Sequence, residues 1–238
     1  MGWPYPKVLA HRGGGALAPE NTLGALRLGA SLGFKGVEFD VMLAADETPV
    51  LIHDETTERT TGVKGRVSLT SYAKLEKLDA GNGERIPRFE EAAALCRKLG
   101  LWANVEIKPA GGHEAATGAA VARMARKLWH GAAQPPLLSS FSAIALEAAQ
   151  KAAPELPRGY IVSQIPVDWE SNAKRLACVS IHCNHKRLTA ETAAAVKAAG
   201  YALLCWTVND AESARRMLAW GADCLVTDAL REIVPDFA

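Results

Sequence analysis

Short apolar runs of strand length alternate along the chain with longer segments of helical period. Residues 7–11, 36–43, 49–53, 101–107, 136–141, 159–162, 178–182, 201–208 and 223–226 read as strands. Between most of them, residues 22–32, 89–99, 114–129, 143–152, 189–199 and 211–220 read as helices, many of them rich in alanine, a strong helix former. Thr189 and Asp210 stand where capping residues belong, and Gly33, Gly100, Gly200 and Gly221 where helices stop. Such alternation predicts a parallel sheet with crossover helices, and at 238 residues a (β/α)8 TIM barrel, for which about 250 is typical.

Nine strand candidates are one too many for eight barrel positions. The segments 36–43 and 49–53 lie too close together for a parallel crossover, so they predict an antiparallel β-hairpin overhanging the barrel mouth. With the turn centred on Asp46-Glu47, Ala45 pairs with Thr48 and Asp40 faces His53. The stretch 54–86 fits no strand–helix unit. It carries Thr-Thr-Gly and Gly-Asn-Gly turn signals around a short helical piece at 71–78, and it reads as a small insertion at the mouth. The expectation is one domain over residues 1–238.

Bulk composition narrows the function classes. Lys plus Arg number 27 against 26 Asp plus Glu, so no overall charge favours nucleic acid or an anionic membrane. The start, MGWPYPKVLAHRGG, lacks the basic and apolar regions of a secretory signal, and no apolar run approaches the ~20 residues of a membrane span. The five cysteines form no Cys-x-x-Cys pair, and four lie in or beside apolar strand-like runs; they read as reduced core thiols. A cytoplasmic protein is expected, with oligomeric state left open.

Against this background the polar strand positions stand out. Glu38 and Asp40 lie two apart in an otherwise apolar strand, so both side chains point to one side. A single strand-end carboxylate is ordinarily solvated. Two together inside a barrel are costly without a counter-charge, and a divalent cation with hard oxygen ligands supplies one. Glu106 and Lys108 repeat the spacing; alone they read equally as a structural ion pair, but beside Glu38 and Asp40 they read as a third metal ligand and a phosphate contact. His11 closes the first strand, and His53 reaches the same mouth through the hairpin; a histidine pair can move protons near neutral pH. Arg12 offers a planar fork for phosphate oxygens. Phe141 and Trp206 close their strands at the rim, where they are either core or an apolar wall for substrate. His182 is a possible mouth residue at the end of its strand, His185 follows in a loop, and His113 and His130 read as surface.

Taken together, Ala10-His-Arg-Gly, Pro19-Glu-Asn-Thr, Glu38-Phe-Asp-Val, His53-Asp, Arg59-Thr-Thr-Gly, Glu106-Ile-Lys-Pro, Ser140-Phe and Trp206-Thr-Val-Asn strongly resemble the glycerophosphodiester phosphodiesterase family, in its short bacterial cytosolic form. The motifs occur in family order from Ala10 to about Asp228. The resemblance implies metal-dependent hydrolysis of glycerophosphodiesters, such as glycerophosphocholine or glycerophosphoethanolamine, to sn-glycerol 3-phosphate and an alcohol. It implies His11 and His53 as general acid and base, and Glu38, Asp40 and Glu106 as ligands of one divalent ion, Mg²⁺ first, with Ca²⁺ or Mn²⁺ acceptable. Arg12 and Lys108 match phosphate-contacting positions, and Glu20 and Asn21 match a motif that supports the first loop. Asp46-Glu47 stands where the family has Asp-Gly, and Phe89 where it often has a smaller aliphatic residue. A lysophospholipase D would need a wide apolar mouth or a membrane-binding helix. A non-catalytic phosphate-binding barrel would have no need of both histidines and all three acids.

Overall fold

A computed structural model describes residues 3–238. Its strands are β1 (Val8–Ala10), β2 (Gly36–Leu43), β3 (Pro49–Leu51), β4 (Trp102–Ile107), β5 (Leu137–Ser140), β6 (Arg158–Val162), β7 (Ser180–Asn184), β8 (Ala202–Trp206) and β9 (Cys224–Thr227). Its α-helices are α1 (Leu23–Ser31), α2 (Glu58–Thr61), α3 (Tyr72–Leu75), α4 (Phe89–Leu99), α5 (Glu114–Leu128), α6 (Ala143–Ala152), α7 (Trp169–Arg175), α8 (Ala190–Ala198) and α9 (Ala211–Ala219). All strands but β3 pair in parallel, from β1 through β2 and β4 round to β9, which returns to β1. The sheet closes as the expected (β/α)8 barrel.

The capping chemistry sets the helix starts. The side chains of Thr22, Ser142, Thr189 and Asp210 each accept a backbone N–H from the first turn of their helices. At the far end of α4, Gly100 takes the left-handed conformation (φ +67°) that terminates a helix at no steric cost. The helix α7 lies outside the sequence expectation. Its seven residues, WESNAKR, bury only Trp169 and Ala173, too little to read as a periodic apolar stripe. The strand that follows begins two residues later than expected, so His182 sits in the middle of β7 and not at its end.

The ninth strand is the overhanging hairpin, with a corrected register. Val41 pairs with Leu51, Met42 with Val50 and Leu43 with Pro49. Thr48 therefore faces Ala44, where its carbonyl accepts the Ala44 N–H at 2.9 Å, and the pairing expected between Asp40 and His53 is off by one residue. The cause is a three-residue turn: Glu47 adopts the left-handed conformation (φ +61°), one that favours glycine. His53 lies beyond the end of β3, outside the ladder.

Along each barrel strand the outward residues pack on the helices and the inward ones fill the interior. Val37, Phe39 and Val41 belong to the outer core with Phe89 and Trp129, and Phe89 fills the space between Phe39 and the Trp129 ring. Inside, Leu9, Trp102, Leu137, Leu204, Cys224 and Val226 form the apolar filling. Tyr5 stacks on Trp102 at 4.2 Å between ring centroids, joined edge-on by Trp3, and this trio packs against the N-terminal half of the barrel interior. The insertion has a small core of its own, in which Val67, Tyr72, Leu75 and Ile86 cover Met42, Val50 and Ile52 of the hairpin. All five cysteines are buried free thiols. Among the described residues no helix is long and apolar enough to cross a membrane.

Candidate active site

β2 and β4 run in parallel with Glu38 opposite Asn104 and Asp40 opposite Glu106. Because residues two apart share a face, three carboxylates turn into the barrel at its C-terminal end, where such barrels carry their chemistry. One oxygen from each of Glu38, Asp40 and Glu106 lies within 4.8 Å of the others, a grouping that fits a metal ion. Oε1 of Glu38 and Oε1 of Glu106 are buried and accept no hydrogen bond, the Lys108 ammonium standing 3.4 Å from the latter. Burial, then the neighbouring Asp40, pushes the Glu38 carboxyl up to about 7, and the same two causes raise Glu106 well above the ordinary range. Three converging acids, two of them with buried oxygens that accept no hydrogen bond and with raised pKa values, fit the oxygen donor set of a hard cation.

The loop after β1 encloses this group from one side. His11 lies one residue past the strand, its N–H bonded to the Thr227 carbonyl at 2.9 Å. Arg12 (φ +49°) and Asn21 (φ +58°) both hold left-handed backbone, a strain that persists only where surrounding contacts impose it. Those contacts are present. The Arg12 N–H donates to Glu38 Oε2 at 3.1 Å, and the Arg12 side chain donates to Glu20 at 2.7 Å while its Nε stands 3.5 Å from Asp40. Asn21 donates its amide to Asp40 at 2.8 Å and accepts the Asp40 N–H at 3.1 Å, which fixes that carboxylate in place.

Each histidine has a carboxylate behind it. His11 Nδ1 is 2.6 Å from Asp228, which is itself held by the Asn209 amide, and His11 Nε2 points toward Glu38 at 3.8 Å. Burial draws the His11 pKa down, but the bond to Asp228 and the charge of Glu38 outweigh it and the net shift is upward. His53 Nδ1 is 2.6 Å from Asp54, and its Nε2 is 3.0 Å from the Lys108 ammonium. There burial prevails, aided by Arg12 and Lys108 against the pull of Asp40 and Asp54, and the shift is downward. Both imidazoles thus direct Nδ1 at a carboxylate and leave Nε2 for the cavity.

All nine residues singled out from sequence line one cavity of about 250 Å³: His11, Arg12, Glu38, Asp40, His53, Glu106, Lys108, Phe141 and Trp206. A larger groove of about 490 Å³ beside the hairpin tip contains none of them. Phe141 and Trp206 meet edge to face at 5.6 Å between centroids and form one wall. The floor holds Asn104 and His182, the latter buried against Ser180. His185 is buried in the short helical turn that follows β7, whereas His113 and His130 are exposed. Sequence reasoning missed Asp54 and Asp228 as partners of the histidines, and Asn209 as the residue that holds Asp228. The first two follow a motif histidine and a strand end, but only the closed barrel brings Asp228 to His11, 217 residues away in the chain.

Residues 11–232 match the Glycerophosphoryl diester phosphodiesterase family. A glycerophosphodiester phosphodiesterase of Caldanaerobacter subterraneus subsp. tengcongensis is 33% identical over 228 residues, covering 93% of each chain. Among solved structures, an Oleispira antarctica phosphodiesterase in complex with the product sn-glycerol-3-phosphate superposes with a TM-score of 0.89 at 37% identity, covering 94% of each chain. A putative glycerophosphoryl diester phosphodiesterase from Silicibacter pomeroyi DSS-3 gives 0.84 at 26% identity, covering 95% of this chain and 91% of its own.

Proposed function

Since the chain belongs to the glycerophosphoryl diester phosphodiesterase family and is an enzyme of that activity, we propose that it hydrolyses glycerophosphodiesters, such as glycerophosphocholine and glycerophosphoethanolamine, to sn-glycerol 3-phosphate and an alcohol, with His11 and His53 as the acid–base pair. The observation that carries this reading is the single cavity shared by two carboxylate-backed histidines and three inward acids.

Glu38, Asp40 and Glu106 would hold one divalent ion, Mg²⁺ by preference for an all-oxygen site, with Ca²⁺ or Mn²⁺ acceptable to the same ligands. When bound, such an ion would supply Lewis-acid stabilisation of phosphodiester charge. The protein's own groups do the rest. Arg12 and Lys108, both on the cavity wall, take the remaining phosphate oxygens and stabilise the more anionic transition state. One imidazole removes the proton from the attacking oxygen through Nε2. The other delivers a proton to the departing alcohol as the phosphorus–oxygen bond breaks. Phe141 and Trp206 give the non-phosphate part of the substrate an apolar wall. We read residues 1–238 as one catalytic domain with 54–86 as its insertion, working in the cytoplasm, where five buried thiols stay reduced.

The test is release of glycerol 3-phosphate from a panel of glycerophosphodiesters, each with Mg²⁺, Ca²⁺, Mn²⁺ or chelator. Turnover is expected with metal and not with chelator. Replacing either His11 or His53 with Ala should lower kcat by ~10²–10⁴-fold. Near-normal turnover by the folded variants would rule out the assignment.

A further inference from the structure

His53 is the one member of the site that follows the overhanging hairpin strand and not a barrel strand. β3 ends at Leu51, two residues earlier, and the hairpin overhangs the mouth. Something else must fix the imidazole to the tolerance that proton transfer needs. The contacts around it form an ordered chain of alternating charge. Asp54 accepts from His53 Nδ1 through one oxygen (2.6 Å) and from Arg59 Nε through the other (2.5 Å). Arg59 turns its two terminal nitrogens onto Glu20, Nη1 to Oε2 and Nη2 to Oε1, each at 2.7 Å. Glu20 Oε1 also accepts from Arg12 at 2.7 Å.

We infer that Arg59 and Glu20 form a clamp between the insertion and the loop after β1, and that they act as positioning residues for the His53 imidazole. The inference rests on the reading of His53 as an acid–base group. Three features support it. Arg59 comes from α2 in the insertion and Glu20 from the β1 loop, so their pairing joins the overhanging segment to the part of the mouth anchored at Asp40. The pairing is bidentate, and the planar guanidinium uses all three of its nitrogens on two carboxylates, which fixes orientation as well as distance. Arg59 also holds the second oxygen of Asp54, its hydrogen bond being the first cause that brings this carboxyl down to about 2, and the ionised Asp54 accepts only. His53 must then carry its proton on Nδ1 and leave the Nε2 lone pair facing the cavity, where Lys108 stands at 3.0 Å. Without Arg59, Asp54 is free to rotate away and the imidazole can take either tautomer.

Arg59 is about half exposed (48% for the side chain), so its removal is expected to leave the fold intact. The experiment compares wild type, Arg59→Ala, Glu20→Gln, the double variant and His53→Ala with a glycerophosphodiester and saturating Mg²⁺. Arg59→Ala should lose ~10–100-fold in kcat, the usual effect of removing a group that orients a site residue. Its KM should change little, added guanidinium should restore part of the rate, and Glu20→Gln should add little further loss in the Arg59→Ala background. Nitrogen-15 NMR of the His53 ring should show one tautomer in wild type and a mixture in Arg59→Ala. Unchanged kcat in Arg59→Ala alongside an inactive His53→Ala would overturn the clamp alone, as would additive losses in the double variant. An active His53→Ala would instead overturn the acid–base reading beneath it.

Discussion

His182 shows how far burial alone can shift a residue's chemistry. It lies on the cavity floor at 1% exposure, its Nε2 is 2.8 Å from Ser180 Oγ, and no carboxylate is bonded to it. A side chain at Gly159 would collide with its ring, so the small neighbour and the imidazole fit as a pair. Burial pulls the His182 pKa from 6.5 down to about 3. Below pH 6.5 the unfolded chain therefore binds a proton that the folded chain refuses. Stability contributed by the neutral ring is complete above that pH and is lost as pH falls toward 3, at roughly 1.4 kcal/mol per unit. His182→Asn should flatten the dependence of unfolding free energy on pH between about 6 and 4, as measured by urea titration; an unchanged slope would discount the buried ring as its source. At this scale the sequence was informative about residue types. The motifs named the nine cavity residues, whereas Asp228 as the partner of His11 had no signal a linear reading could use, since its pairing exists only when β9 closes on β1.

The element that departs most from expectation is the hairpin. Its strands and antiparallel sense follow from the shortness of the connection, but its register depends on the conformation of one turn residue. Glu47 holds φ +61°, strained for any residue with a Cβ, and its exposed side chain gains no compensating burial. Asp46 secures the turn from both sides, accepting the Thr48 N–H at 3.3 Å and the Tyr72 N–H at 2.9 Å. Glu47→Gly should therefore stabilise the protein by ~0.5–1 kcal/mol without altering kcat, the relief of strain exceeding the added chain entropy. A fall in thermal midpoint would show that the glutamate contributes something the turn geometry does not reveal. Helix α7 was illegible for the opposite reason. Two buried residues in seven give no periodic stripe, and its place is fixed by packing such as the edge-on contact of Trp169 with Tyr201 at 5.5 Å.

For the molecule as a whole, the three inward acids carry a cost in stability. Three carboxylates held together without a cation repel one another and are kept from water, at the expense of the fold. Binding a divalent ion should raise the melting temperature, by the equivalent of ~2.7 kcal/mol at a hundredfold excess over Kd. Glu106→Gln replaces one charge with a neutral amide of the same shape. In chelator at pH 8 this variant should melt above wild type, while losing most of the metal-induced rise and the turnover. If it melts lower in chelator and still responds fully to metal, Glu106 belongs to its ion pair with Lys108 and not to the cation.

The alternation of apolar runs determined a parallel sheet with crossover helices, because strand and helix periods differ, and a length of 238 residues matched a closed barrel of eight such units. The spacing of Glu38 to Asp40 and of Glu106 to Lys108 determined which side chains share a face, since alternation along a strand is local geometry. Tertiary structure decided everything that depends on closure or on a turn. It set the pairing of Asp40 with Glu106 across β2 and β4, the Asp228 carboxylate behind His11, and the one-residue register that leaves His53 outside the ladder. It also assembled the Glu20–Arg59 bridge to Asp54. The physical reason is common to these cases: contacts between segments far apart in the chain, or dependent on a single dihedral, carry no periodicity for a sequence to display.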